Sequence, residues 1–133
     1  MVEADGNRFF FVDPKNKIPF ITIVVNNLYD TLSDLDRDGI FRLNVGISKA
    51  TFAELFDFDP HADVPEPVYD FTSLDEIMPH PVYGRIYWIC VLNPSTEVLE
   101  KAKPLLKEAF DIAAAKYERT LRAASPQGEQ SPA

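Results

Sequence analysis

The sequence has few of the residues that mark metal, redox and phosphate sites: one cysteine, two histidines and five glycines among 133 residues. A single cysteine, Cys90, excludes an intrachain disulfide and a multi-thiolate metal site, and its apolar surroundings indicate a buried side chain in a reducing compartment. The glycines are scattered singly, so no glycine-rich phosphate loop is present. No apolar run reaches 18 residues and the N-terminus is polar, which predicts a cytoplasmic protein with no membrane partner.

Positive charge is also scarce, because 13 Lys and Arg residues face 21 Asp and Glu residues, giving a formal net charge of −8. Such a chain repels phosphate backbones, which disfavours nucleic acid as a partner. The hydrophobic content of 46% is typical of a folded domain, and the length suffices for one core. We therefore predict a single domain over residues 1–124 and a disordered polar tail over residues 125–133.

Four apolar segments predict β-strands. In the third, apolar residues alternate with Arg42 and Asn44, which predicts one wetter face. The fourth is apolar almost throughout, so we expect it to be central and covered on both faces. The first two are joined by a turn at residues 13–17 and should pair antiparallel. The four segments are residues 8–12, 20–25, 40–47 and 85–92.

A long amphipathic segment predicts the main helix. Asn93 is expected to be its N-cap, with Pro94 at the first helical position, and the periodicity continues through Tyr117. Pro104 lies inside this pattern and predicts a kink or a restarted helix.

Two shorter helices are predicted before it. Ser48 can cap a helix over residues 49–56, and Ser73 with Glu76 has the spacing of a capping box for a turn of helix that ends at Met78. Together the elements predict an α+β fold: a mainly antiparallel sheet of about four strands, with a long C-terminal helix and one or two short helices packed on one face.

The acidic segment Asp34–Gly39 matches the first half of a calcium-binding loop, with alternating aspartates before a glycine. The twelfth position is Val45, where such a loop requires a bidentate glutamate. An acidic, solvated turn is the competing interpretation and the one we favour, so we predict no metal site.

His80 lies between two prolines, which fix the backbone and could aim its imidazole at a ligand or a substrate proton. A structural hydrogen bond to the backbone is the alternative. Four aromatic residues could line an apolar pocket with their polar tips: Tyr69, Tyr83, Tyr87 and Trp88. Core packing is the competing interpretation of these residues and the one we favour. Arg42 and Arg85 could supply a cationic spot for an anionic ligand, or could equally pair with carboxylates.

Three segments, Phe41–Ser48, Met78–Gly84 and Trp88–Pro94, together resemble an uncharacterised bacterial family of small domains common in actinobacteria. The resemblance implies no activity; members of that family carry a helix before the first strand, which this chain lacks, so a partner chain could cover that side of the sheet. More distantly, the order of strands followed by a helix is similar to YjbR or MmcQ-like domains with a CyaY-like fold. That resemblance implies DNA binding.

The favoured hypothesis is a non-catalytic cytosolic module that binds a small ligand or a protein partner between the sheet and the Asp57–Pro81 segment. We predict no catalytic residue and no cofactor. A hydrolase or isomerase with His80 as general base, DNA binding, and a homodimer formed through unprotected strands are the alternatives. The residues expected to form the binding site are His80, Tyr83, Arg85, Trp88 and Arg42.

Overall fold

The computed structural model describes residues 1–15, 18–63 and 65–124. Six strands in these residues form one antiparallel sheet in the order β1-β2-β3-β4-β6-β5. Two α-helices, α1 (Lys49–Phe56) and α2 (Thr96–Ala124), and a 3₁₀ helix (Tyr83–Ile86) complete an α+β fold. The strands are β1 (Val2–Ala4), β2 (Asn7–Phe10), β3 (Ile21–Val24), β4 (Arg42–Gly46), β5 (Met78–Pro79) and β6 (Trp88–Leu92).

The sheet therefore has six strands, and the prediction of about four is wrong in number. The four predicted strands are present as β2, β3, β4 and β6, and β2 pairs antiparallel with β3 as expected. The two missed strands lie at the edges of the sheet. Each is too short to show alternation, and β5 contains Pro79, which has no N–H and is tolerated at an edge. A homodimer through such an edge stays a prediction.

Residues 85 and 86, which we expected to begin the fourth strand, belong to the 3₁₀ helix instead. The predicted turn of helix over residues 73–78 is also wrong. There Asp75 has a positive φ of 60°, and its N–H donates to the carbonyl of Leu92 over 2.7 Å. This extended path allows Met78 to pair with Cys90 of β6. The predictions for Asn16 and Lys17 in the first turn and for the tail at 125–133 lie outside the described residues.

The two faces of the sheet bury different side chains. On the helix face, Leu43 and Val45 of β4 and Ile89 and Val91 of β6 pack with residues of α1 and α2. On the opposite face, a second apolar cluster forms around β6. Its members are Val24, Leu35, Met78, Cys90 and Leu92. The predictions of helices on one face and of a final strand covered on both faces are confirmed. That strand is not at the centre of the sheet, however, since β6 lies second from the edge, beside β5.

The two helices begin differently from one another. The N-cap of α1 is Ser48, as predicted, since its side chain accepts the N–H of Thr51. At α2 the Ser95 hydroxyl accepts the N–H of Val98, and the prediction of Asn93 as N-cap is wrong. Asn93 has a φ of 41° and its side chain bonds to Phe41 and Gly39.

α2 continues through Pro104 to Ala124, so the helix does not restart there, and the alternative of a kink stays a prediction. Neither helix in the described ranges has the combined length and hydropathy of a membrane span.

Candidate functional site

A cavity of about 150 Å³ lies between α1, residues 58–71 and the turn from Pro79 to Arg85. This is the region in which the sequence predicts a binding site. Its wall is formed mainly by aromatic side chains and prolines, and its ionisable residues are Glu66, Tyr69, His80 and Arg85. The aromatic residues are Phe52, Phe58, Tyr69 and Phe71, and the prolines are Pro60, Pro67, Pro79 and Pro81.

The segment that follows α1 covers the cavity, and it is held by the C-cap of α1 and by a hydrogen bond of His61. Asp57 ends α1 in the left-handed conformation, with its N–H donating to the carbonyl of Ala53. Further along, His61 Nε2 lies 2.6 Å from the carbonyl oxygen of Arg85, so its N–H donates to the 3₁₀ helix. The His61 ring also packs edge-on against Tyr87. These contacts join the covering segment to the opposite wall of the cavity.

His80 is fixed by backbone hydrogen bonds on either side of its ring. Its own N–H donates to the carbonyl of Trp88, and its Nδ1 accepts the N–H groups of Val82 and Tyr83 over 3.0 and 2.9 Å. The ring of Tyr83 lies 5.0 Å from the imidazole. The side chain thus closes a tight turn, and 5% of the residue is exposed.

The second nitrogen of His80 faces a buried cation. Its Nε2 lies 3.3 Å from Nη2 of Arg42. Because Nδ1 accepts two N–H groups, the neutral ring carries its proton on Nε2, and this contact brings two donors together. Burial, and then the Arg42 charge, lower the pKa of His80 to about 3 against the opposing effect of Asp30. His80 is therefore neutral near pH 7.

Arg42 is the centre of a polar network on the opposite face of the sheet. Its guanidinium makes two hydrogen bonds to the Asp30 carboxylate, of 3.1 and 2.7 Å, and others to Ser33 and Asn44. Burial raises the pKa of Asp30, but the hydrogen bonds and charge of Arg42 outweigh it and hold the pKa below 3.8. The predicted wetter face of β4 is wrong, since Arg42 and Asn44 are each 2% exposed.

Cys90 lies beside this network and is protonated. Burial raises the pKa of its thiol to about 12, although the Arg42 charge acts in the other direction. Its Sγ lies 3.7 Å from the carbonyl oxygen of Pro79. A thiolate nucleophile is therefore not formed at this position near neutral pH.

The structure places two of the five predicted site residues, His80 and Arg85, in the cavity wall. Tyr83 packs on His80 and is half exposed, while Arg42 lies behind the imidazole in its ion pair with Asp30. Trp88 lies over Gly46 of the neighbouring strand.

Sequence reasoning included Tyr69 among possible pocket residues but missed the phenylalanines of the wall and Glu66. The signal that could have revealed the wall is the interleaving of Phe58, Tyr69 and Phe71 with prolines in a segment without periodicity.

The close contact between Trp88 and Gly46 makes a testable prediction. A Cβ at Gly46 would lie 2.8 Å from the indole ring, so Gly46→Ala must displace the tryptophan. We expect a loss of about 1–3 kcal/mol in unfolding free energy, measured by urea denaturation. In a Trp88→Leu background the same change should be nearly neutral. An equal loss in both backgrounds would contradict the steric explanation.

The acidic segment 34–39 makes hydrogen bonds and ion pairs within the protein. The Asp36 carboxylate accepts the N–H of Asn27 over 2.9 Å, and Asp34 lies 3.9 Å from the guanidinium of Arg37. In residues 1–15, 18–63 and 65–124, no three His, Cys, Asp or Glu side chains converge as a metal site requires.

A second depression, along the surface of α2 near Pro104, Lys107 and Asp111, is shallow and formed by that helix alone. The cavity beside His80 is therefore the better candidate site.

A family model described as "Family of unknown function (DUF6194)" matches residues 1–123. The match includes all three segments that resemble an uncharacterised bacterial family, so that prediction is confirmed. No curated protein and no solved structure matches the chain. The resemblance to YjbR-like domains stays a prediction.

Proposed function

We propose that this chain, which belongs to the DUF6194 family of unknown function, is a non-catalytic module that binds a small ligand in the cavity beside His80. The observation that carries the proposal is the cavity itself, in which aromatic and proline walls surround a few fixed polar groups, as in many ligand sites. Its volume of about 150 Å³ lies below the range of about 300–1,000 Å³ that is typical for drug-sized ligands. A small metabolite or one end of a longer molecule fits this space.

The state of His80 favours binding over acid–base catalysis. A general base works best with a pKa near the working pH, whereas the pKa of His80 is lowered to about 3. Its Nδ1 is already an acceptor for two backbone N–H groups, and its Nε2 faces Arg42. The cytoplasm is the proposed location, on the single buried cysteine.

A protein partner that inserts one side chain into the cavity is the second candidate. Val82, which lines the cavity, is 43% exposed, and the neighbouring 3₁₀ helix exposes Tyr83 and Ile86 by 54% and 59%. Exposed apolar side chains grouped at a cavity are typical of interaction surfaces.

A matched pair of substitutions tests the cavity as the binding site. Small metabolites are screened by thermal shift against wild type, Phe58→Trp and Phe110→Trp. Phe58 lines the cavity, whereas Phe110 lies on α2 and packs on Phe20. A ligand present at about 100 times its Kd stabilises the folded state by about 2.7 kcal/mol, which is readily measured.

We expect hits on wild type and Phe110→Trp that are lost in Phe58→Trp, since the larger ring fills the cavity. Ligands that stabilise all three proteins equally would place the binding site elsewhere.

A further inference from the structure

We infer that the ligand carries an alkylammonium group, an inference that rests on the proposed function and names the ligand class of the same cavity. Two features of the wall carry it: a backbone rich in acceptors and several aromatic rings.

The wall has an excess of backbone acceptors over donors. Prolines have a carbonyl oxygen but no N–H, so each proline in the wall can only accept a hydrogen bond. The four prolines of the wall are Pro60, Pro67, Pro79 and Pro81.

Several of the remaining backbone donors are already used. Val82 donates its N–H to His80 Nδ1, and Gly84 donates to the His80 carbonyl over 2.9 Å. The N–H groups of His80 and Phe52 donate to Trp88 and Ser48. Carbonyl oxygens of the wall are used as well, that of Pro79 by the Cys90 thiol and that of Arg85 by His61. The prolines still add carbonyl dipoles without adding donors, and the negative ends of such dipoles favour a cation over an anion.

The aromatic residues favour a cation for a separate reason. Phe52 and Phe58 pack edge-to-face with ring centroids 5.5 Å apart, and Tyr69 lies 6.2 Å from Phe71. Grouped aromatic rings attract quaternary and other alkylated ammonium ions through cation–π interactions. The space of about 150 Å³ that they line suits a compact headgroup rather than a long chain.

The charged residues of the wall leave it without a net positive charge. Glu66 and Arg85 both line the cavity, and both are exposed. Burial together with the charge of Glu76 raises the pKa of Tyr69. The charge of Arg42 behind His80 is paired with Asp30, so it does not act as a free cation.

The test uses three probes of similar size and different charge: tetramethylammonium, the neutral tert-butanol and the anionic pivalate. Each is titrated into ¹⁵N-labelled protein, with backbone shifts of residues 66–71 and 79–85 reporting occupation of the cavity. We expect tetramethylammonium to bind at least about tenfold more tightly than tert-butanol, the ratio that a cation–π contribution of about 1.4 kcal/mol gives.

Charge-neutralising substitutions of exposed residues test whether the charge of the wall affects the Kd. Glu66→Gln should raise the Kd of tetramethylammonium about threefold to fivefold, as expected for a partly exposed ion pair, and Arg85→Gln should lower it. Glu118→Gln on α2, also exposed, is the matched control and should leave the Kd unchanged.

The probe results separate the two proposals. If tert-butanol or pivalate shifts the cavity resonances as tightly as tetramethylammonium, the ammonium inference is wrong and the cavity remains a binding site. If tetramethylammonium does not bind in the cavity but metabolite hits are lost in Phe58→Trp, the ammonium inference is wrong and the proposed binding site stands. If neither the probes nor the metabolites depend on the cavity, both proposals are wrong.

Discussion

Asp30→Ala is expected to destabilise the protein by about 3–5 kcal/mol, because it leaves the Arg42 guanidinium buried without its counter-charge. Arg42 is 2% exposed, and the Asp30 carboxylate makes two hydrogen bonds to it. Ser33 and Asn44 would still accept hydrogen bonds from Arg42, but neither carries a charge. Urea denaturation at neutral pH measures the loss.

An exposed ion pair of similar length is the control. On α2, Lys107 and Asp111 lie 2.8 Å apart with side chains more than half exposed, whereas the Arg42–Asp30 distance is 2.7 Å. Asp111→Ala should lose less than about 1 kcal/mol, since solvent screens that pair.

A double variant, Asp30→Ala with Arg42→Met, should recover much of the stability, because the unpaired charge is removed with its partner. A loss for Asp30→Ala as small as that for Asp111→Ala would contradict the network as a major source of stability.

The sequence predicted the elements whose hydrophobic pattern lies within one continuous segment and extends over many residues. The apolar run that ends at Leu92 indicates a strand buried on both faces, and the residues of β6 from Ile89 onward are fully buried. Ser48 precedes a short amphipathic segment and caps α1. In both cases the hydrophobic pattern extends over enough residues to outweigh the conformational propensities of single residues.

The buried polar network could not be predicted in this way. Arg42 and Asn44 alternate with apolar residues, and a polar residue on one side of a strand normally faces water. Here the network is completed by Asp30 and Ser33, which precede β4 in an irregular segment. Periodicity cannot distinguish a side chain that faces water from one that faces another polar residue across the fold.

The candidate site was predicted in part for a similar reason. His80 was chosen because prolines flank it and Arg85 because it could supply a cation, and the structure places both at the cavity. Tyr83 and Trp88 were chosen because their rings could line a pocket, but the rings of the wall come from Phe52, Phe58, Tyr69 and Phe71. The 3₁₀ helix before β6 turns Tyr83 away from the cavity wall and onto the His80 ring.

Acid is expected to destabilise the protein through His80. The unfolded chain binds a proton at this side chain with a pKa of 6.5, whereas the folded protein does so only near 3. Between these values the unfolded state binds more protons, so the free energy of unfolding falls as the pH decreases, by a total on the order of 5 kcal/mol. Above pH 6.5 this contribution is complete and no longer changes. Urea titrations at a series of pH values measure the slope.

Two single-histidine variants isolate the contribution of His80 to the pH dependence of stability. Asp30 has a pKa below 3.8, so between about pH 4.5 and 6.5 its own titration contributes little to the slope, and His80→Gln should flatten most of it. His61→Gln, at the other histidine of the sequence, which is exposed, is the control for the loss of one imidazole. The physical reason is that a proton on Nδ1 displaces the N–H groups of Val82 and Tyr83 and adds a positive charge beside Arg42. Parallel loss of stability in wild type and His80→Gln over this interval would show that other groups cause the acid sensitivity.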